Sequence, residues 1–314
     1  MILVVSSATD DHATAVIANL AARGTGTQLV DLSDFPTRAS IALGYGEEGH
    51  RLVLTTPGGP PVDLAECRVA WWRRPQPFVL PDLAEPSMHA FTYNECHEAI
   101  AGLWEALDCT WVNEPKLDDA AAKKSFQLKV AVELGIPIPR TLITNDPGEA
   151  LAFASAVGVD STVYKAFSAT EEHWRETRIL RVEELALLDH VRVAPVIFQE
   201  YVPASLDLRI TVMGDDVFPA AVHSQATDYT TDYRIRMDDT PIEPYDLPDD
   251  VEASLHRLMK RLGLVYGAID MRRTPDGDHV FLEVNPAGQW RFIEERTGQP
   301  MTDAFAGLLA RLDR

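Results

Sequence analysis

HVFLEVNPAGQWRFIEERTG, residues 279–298, sets a glutamate and an asparagine two positions apart in an apolar run that stops at Pro286. Strand alternation puts Val280, Leu282 and Val284 on one face, for a core, and Phe281, Glu283 and Asn285 on the other. Upstream lies VYGAIDMRR, residues 265–273, joined to this run by TPDGD. Asp-Gly between two strand-like runs is the strongest short-range hairpin signal, because a type I′ turn needs positive φ at both central positions. A turn centred on Asp276-Gly277 sets Asp270 opposite Glu283, Ala268 opposite Asn285 and Arg272 opposite Phe281, all on one face; a bulge would shift that register. Two carboxylates facing each other across a sheet repel unless something cationic lies between them. With an amide oxygen beside them, the fitting ion is a hard divalent cation such as Mg²⁺, which takes oxygen ligands and shares them with nucleotide phosphates. The bland alternative is a solvated hairpin face with incidental acids.

The 314 residues can bury a large core and predict two or three domains. Net charge is −20, from 28 basic and 48 acidic residues, so nucleic acid is not an expected partner and an anionic nucleotide must find its cations locally. Cys67, Cys96 and Cys109 are scattered without a CxxC pair and read as reduced thiols of a cytoplasmic protein. The start, MILVVSSATDDHATAVIANLAARG, lacks a basic n-region and reads as a strand, an Asp cap and an amphipathic helix. No apolar run has the length of a membrane span, so no membrane partner is expected.

The opening is β-α-β, with a helix near 11–23 and TQLVDL as the second strand, which begins an α/β layer. RVAWWRRPQP ends a strand with paired Trp and paired Arg, fit for an interface anchor, a site wall, or a core Trp with Arg packed over it. A helix over about 83–107 and a strand in CTWVNEP bring the first unit to residue 115. DDAAAKKSFQLKVAVELG then has helical periodicity with Gly135 as its C-terminal cap. Further helices are predicted near 147–157, 182–190, 249–262 and 301–312, with strands in STVYKAF, VIFQEYV, LDLRITVMG and DVFPAAVHS. Strands dominate from Pro195 onward. The units are 1–115, 116–193 and 194–314.

Lys165, Glu200, Asp207 and Arg209 stand at strand-like positions where a lone charge is costly to bury. Singly, each is more often a sheet-edge charge or an ion pair. Beside Asp270, Glu283 and Asn285 they make up the electrostatic equipment of phosphoryl transfer. There is no Walker GxxxxGK[ST], no HRD or DFG, and no Rossmann glycine pattern.

In their order, KKSFQLKVAVELGIPIPRT, VYKAF, FQEYV, DLRITVMGDDVFPAAV, AIDMRRTPDG and FLEVNP resemble the ATP-grasp ligases over about the last two thirds of the chain. RRP at 73–75, HSQATDYTTDYR and NPAGQWRFIEERTG are similar to the ribosomal-peptide maturases of that superfamily. These are the microviridin-type ring-forming ligases, or graspetide synthetases, relatives of RimK-type ligases. The resemblance implies an α/β ATP-grasp fold: an N-terminal pre-ATP-grasp domain, a central α+β domain and a C-terminal antiparallel α+β domain that carries the metal. It implies ATP and Mg²⁺ as cofactors, with Lys124 and Lys165 on the phosphates and Glu200, with Tyr201 and Val202 backbone, at adenine beside Gln199. Asp207 would face the ribose, Arg209 the phosphates, and Asp270, Glu283 and Asn285 would bind Mg²⁺. Arg234 and Arg272 are candidates for steadying an acyl phosphate. FSATEEHWRETR, after Lys165, has no glycine where many relatives carry a glycine-rich phosphate loop.

The implied reaction phosphorylates Asp or Glu side chains of a ribosomally made precursor peptide, leader plus core, and joins them to Ser/Thr hydroxyls or Lys amines of the same peptide. Two rivals are a RimK-like ligase acting on a free amino acid, small molecule or protein terminus, and an ATP-binding regulator that does not ligate. His223, Asp232 and a phosphate oxygen are all open as general base. Residues 220–240 are either a surface loop or, as the resemblance favours, a peptide-capture hairpin. A homodimer is implied by the resemblance alone. Trp290 and Arg291 are expected to be exposed near the site.

Overall fold

Short apolar runs alternating with helices build the first layer of the protein, a computed structural model in which residues 1–47, 49–167, 177–226 and 240–314 are described. Strand β1 (Ile2–Val5) is buried along its whole length, which is why ILVV shows no alternation: a central parallel strand is covered on both faces. Asp10 caps α1 (Asp11–Ala22) by accepting the N–H groups of His12 and Ala13. After β2 (Thr27–Val30), a small antiparallel meander of β3 (Ser40–Gly46), β4 (Gly49–Thr55) and β5 (Val62–Asp63) precedes β6 (Val69–Trp72). Helix α2 (Pro86–Glu105) then leads to β7 (Thr110–Val112). The parallel sheet runs β2-β1-β6-β7.

The helix expected over DDAAAKKSFQLKVAVELG is two helices, α3 (Pro115–Ala122) and α4 (Lys124–Glu133), broken where Lys123 is extended (φ −75°, ψ 111°). Gln127 accounts for the break. Its Nε2 donates to the Ala121 carbonyl (2.7 Å), which an unbroken helix would have kept for itself. The central layer holds β8 (Thr141–Thr144), α5 (Pro147–Val157), β9 (Thr162–Lys165), β10 (Arg178–Ile179) and β11 (Val196–Glu200), with 3₁₀ turns over Val182–Val193. Its antiparallel sheet, β10-β9-β11-β8, closes over a small core of Ala150, Leu188, Val191 and Phe198.

The last sheet, β14-β13-β12-β15-β16, carries the candidate site. Its members are β12 (Leu206–Met213), β13 (Asp216–Val222), β14 (Ile242–Pro244), β15 (Tyr266–Arg273) and β16 (His279–Asn285). Helix α6 (Asp249–Leu262), ended by left-handed Gly263, packs Leu255, Leu258, Met259 and Leu262 against Ile210, Ile269 and Met271 on one face. Helices α7 (Arg291–Thr297) and α8 (Met301–Leu312) pack elsewhere, sharing one core with β1, α1 and β6.

The β15–β16 hairpin departs from the expected register in two places that cancel. It closes through a five-residue loop, Thr274–Asp278, between the pair Arg273 and His279, with Gly277 at φ 98°. A bulge at Leu282 then takes up the residue, so Arg272 falls opposite Val280, not Phe281, while Asp270 still meets Glu283 and Ala268 meets Asn285. The bulge also reverses two side chains. Phe281 is fully buried with Met271 and Val284, and Leu282 turns to the opposite face.

Candidate active site

On the face of β12 and β15 away from α6, charge alternates in register. Arg209 lies opposite Asp270, and Asp207 opposite Arg272. Arg209 Nη1 donates to both oxygens of Asp270 (3.0 and 3.1 Å). Asp270 faces Glu283, and Lys124, in the first turn of α4, donates to Glu283. Each carboxylate of the repelling pair therefore has its own cation. Gln127 fixes this meeting: its Nε2 donates to the Val284 carbonyl (2.7 Å) and its Oε1 accepts the Val284 N–H (3.0 Å), pinning α4 beside Glu283. Asn285 follows one row along, its Oδ1 accepting the Ala287 N–H (3.0 Å). Two carboxylates and an amide oxygen on one face are an all-oxygen donor set, which fits Mg²⁺.

At the other end of the row, Lys165, Gln199, Glu200, Tyr201, Val202, Arg272 and Leu282 line one cleft. Tyr201 N–H is committed to Ser161 carbonyl (2.7 Å), whereas Val202 N–H makes no hydrogen bond among the described residues. Arg272 braces this hinge: Nη1 donates to Val202 carbonyl (2.8 Å), Nε to Asp207 (2.8 Å), and its guanidinium lies 5.2 Å from the Tyr201 ring. Asp207 is 4% exposed and its second oxygen accepts from Ser224, so its carboxylate orients Arg272 within the protein, where the resemblance had it facing a ribose. Burial pushes the Asp207 carboxyl up, against the pull of Arg272 and Ser224.

Beyond Asn285 the chain is held from all sides. Tyr266 donates to the Gly288 carbonyl (2.5 Å), Arg209 Nη2 to Gln289 (3.2 Å), and Arg73 Nη1 to Ala287 (2.8 Å) and Gly288 (2.7 Å). Arg73 is fully buried, paired with Asp10 (3.2 Å) and set 5.3 Å from the Trp290 ring. A Cβ on Gly288 would stand 2.3 Å from that of Ala268, so only glycine fits this close approach. His12 Nε2 accepts from Trp290 N–H (3.0 Å) and Arg291 N–H (3.2 Å), which leaves its Nδ1 proton for Asp11 (2.7 Å). Trp290 is fully buried against His12, Trp71 and Phe305, contrary to the exposure expected of it, because the first sheet covers it. Burial raises the Asp10 carboxyl, but His12 and Arg73 outweigh it and hold the group below the ordinary range. Burial pushes Tyr266 up to about 12.

Residues 1–119 match the family model of the MvdD pre-ATP grasp domain. The crystal structure of macrocyclase MdnC from Microcystis aeruginosa, bound with precursor peptide MdnA, is similar at 33% identity and TM-score 0.88, with 98% of each chain covered. The chain belongs to the ATP-grasp peptide macrocyclases. A Chryseobacterium gregarium RiPP-associated ATP-grasp ligase, solved with ADP and a leader and core peptide, is 25% identical at TM-score 0.89, covering 99% of this chain and 96% of that one. A RimK domain protein from Sphaerobacter thermophilus, at 16% identity and TM-score 0.61 over 98% of both chains, shares the fold. No curated protein matches.

The structure of this ATP-grasp chain thus brings Lys124, Arg209, Asp270, Glu283 and Asn285 together, and separately gathers Lys165, Gln199, Glu200, Tyr201, Val202 and Arg272. Arg234 and Asp232 lie outside the described residues, as do 227–239 of the expected capture hairpin and 168–176 after Lys165. His223 pairs with Glu243 (2.9 Å). Lys123 and Lys129 form exposed pairs with Asp119 and Glu133, away from Glu283. Reading the sequence alone passed over Gln127, His12 and Leu282, and left Arg73 open between an interface anchor, a site wall and packing over a core Trp. Gln127 and His12 gave no local signal, because they act through partners 157 and 278 residues away, and Leu282 is turned outward by the bulge. No described helix is long and apolar enough to cross a membrane.

Proposed function

We propose that the chain is an ATP-dependent macrocyclase that joins Asp or Glu side chains of a ribosomal precursor peptide to Ser/Thr hydroxyls or Lys amines of that peptide, as ω-esters or ω-amides. The observation that carries this is the row on β12, β15 and β16, where two carboxylates and two cations face one another beside the hinge cleft. Val202 N–H would meet adenine at the hinge, over the apolar wall of Leu282. Lys165, Lys124 and Arg209 would take the phosphates, releasing Glu283 and Asp270, which with Asn285 would hold Mg²⁺. When bound, that ion supplies positive charge for the phosphate oxygens. A substrate carboxylate oxygen attacks the γ-phosphorus, ADP leaves, and the acyl phosphate is attacked by a hydroxyl or amine that expels phosphate. Both reacting groups belong to one tethered peptide, so positioning supplies much of the rate.

Arg234 is proposed at the acyl phosphate, residues 220–240 as the leader's docking hairpin, and 1–115, 116–193 and 194–314 as the domains of a cytoplasmic homodimer. Incubation with ATP, Mg²⁺ and a Thr- and Glu-rich precursor encoded beside the gene tests the assignment by mass. Loss of one water per ring with ADP formed is expected. An unchanged peptide, with a free amino acid ligated instead, would replace it with the RimK-like activity.

A further inference from the structure

The carboxyl ends of the parallel strands, where open α/β sheets form their binding crevice, lie next to the metal strand. The strand order, β2-β1-β6-β7, reverses direction between β1 and β6, and open α/β sheets bind ligands outside the carboxyl ends of the strands at such a point. Those ends are Ser6–Asp10 and Arg73–Arg74, and Arg73 already reaches across to Ala287 and Gly288. Along β15 the site has an axis. Arg272 braces the hinge, Asp270 belongs to the metal set, and Tyr266 lies under the crevice, at about 3.3 Å of strand per residue. A nucleotide seated at the hinge with its phosphates at Asp270 therefore points its reacting end toward Tyr266 and the crevice.

Arg74 stands there. Its backbone is fixed by an N–H bond to Val5 carbonyl (3.3 Å), and its charge is felt by Asp10, Asp11 and buried Tyr266. The guanidinium is half-buried yet makes no hydrogen bond or ion pair with any described residue. Burial and then the charge of Arg73 beside it press its pKa below the ordinary arginine value. Part-burying one arginine beside another costs free energy that the charges of Asp10 and Asp11 offset only in part, and a planar guanidinium matches a carboxylate with two parallel hydrogen bonds.

We propose that Arg74 binds the side-chain carboxylate of the peptide substrate in this crevice and holds it in line with the γ-phosphate. This rests on the macrocyclase assignment, and Arg73 serves it by fixing the Asn285–Gln289 turn alongside. The test compares wild type, Arg74→Gln and Arg74→Lys with a leader-free core of the neighbouring precursor, the leader being supplied in trans. Readouts are KM for the core, ADP release and MgATP affinity. The expected result is a KM raised at least about tenfold in Arg74→Gln, partly restored in Arg74→Lys, with MgATP affinity and leader binding unchanged. An unchanged KM overturns the proposal. So does a parallel loss of MgATP affinity in both variants, which would place Arg74 on the nucleotide or the fold. Wild type that forms no ring sinks the macrocyclase assignment instead, before any variant is compared.

Discussion

Asp270 pairs with Arg209 and Glu283 with Lys124, and under the proposed function the same side chains would exchange partners when phosphates arrive. Glu283→Ala should therefore abolish ADP formation while leaving leader binding, measured by fluorescence anisotropy, unaltered; surviving turnover would remove Glu283 from the metal set. The Asp207–Arg272 pair is different in kind, since both side chains are about 95% buried. Asp207→Ala removes the carboxylate that balances the Arg272 charge inside the protein, and urea unfolding should show a loss of about 3–5 kcal/mol. Asp118 reports through pH. Burial pushes its carboxyl up to about 6, with Asp119 and Glu114 adding to the rise and the Asn113 hydrogen bond opposing it. A folded pKa above the unfolded one means the stability is full below the unfolded value of 3.8 and is lost as pH climbs through 6. Asp118→Asn keeps an acceptor for Asn113 without the charge. Its stability relative to wild type should grow between pH 5 and pH 7.5, by about 1–3 kcal/mol, and an equal difference at both pH values would contradict the assignment.

The bulge at Leu282 is the element on which the two faces of β16 turn. It sends Phe281 into the core and Leu282 to the hinge cleft, the reverse of strict alternation. Two substitutions separate these arrangements. Leu282→Ala should weaken nucleotide binding about five- to tenfold by calorimetry with little change in stability, since an apolar cleft wall is shortened. Phe281→Ala should cost about 3–5 kcal/mol of stability with nucleotide affinity nearly kept. The opposite pattern would restore the regular strand. Much of this hairpin was legible: Asp-Gly marked the turn, and the carboxylates fell opposite each other as counted. The bulge was not, because its cause lies outside the strand, where Phe281 N–H donates to the carbonyl of Pro137 (2.8 Å). The break at Lys123 escaped for the same reason. Local periodicity favours one helix there, and only Gln127 reaching Val284 shows why two form. Helices 249–262 and 301–312 were legible to the residue, since α6 and α8 each show a strong apolar stripe between clear boundaries.

Across the whole molecule, the first sheet and the last helices are one packing unit. Ile2, Val4, Val16, Leu20 and Trp71 share a core with Trp290, Ile293, Phe305 and Leu309, and the Met1 ammonium pairs with Asp313 (3.0 Å). Arg73, His12 and Asn113 add polar ties from the first sheet to Ala287–Arg291 and to β15. Hydrophobic periodicity could assign each piece to a strand or a helix, but it carries no information on which distant face it meets. The central layer has a much smaller core of its own, Ala150, Leu188, Val191 and Phe198, with Leu187 and Val193 exposed at its edge. Segments with few buried apolar contacts open at lower free energy than the rest. Native-state hydrogen exchange across a denaturant series should therefore release β9 and β11 amides first. Amides of β1, β12 and α8 should merge later into a single isotherm, because breaking the shared core exposes all three together. Separate isotherms for β1 and α8 would show that the two ends unfold independently. The docking of the first sheet on the turn after Asn285 would then be too weak to fix the metal strand, and Arg73→Ala would leave turnover intact.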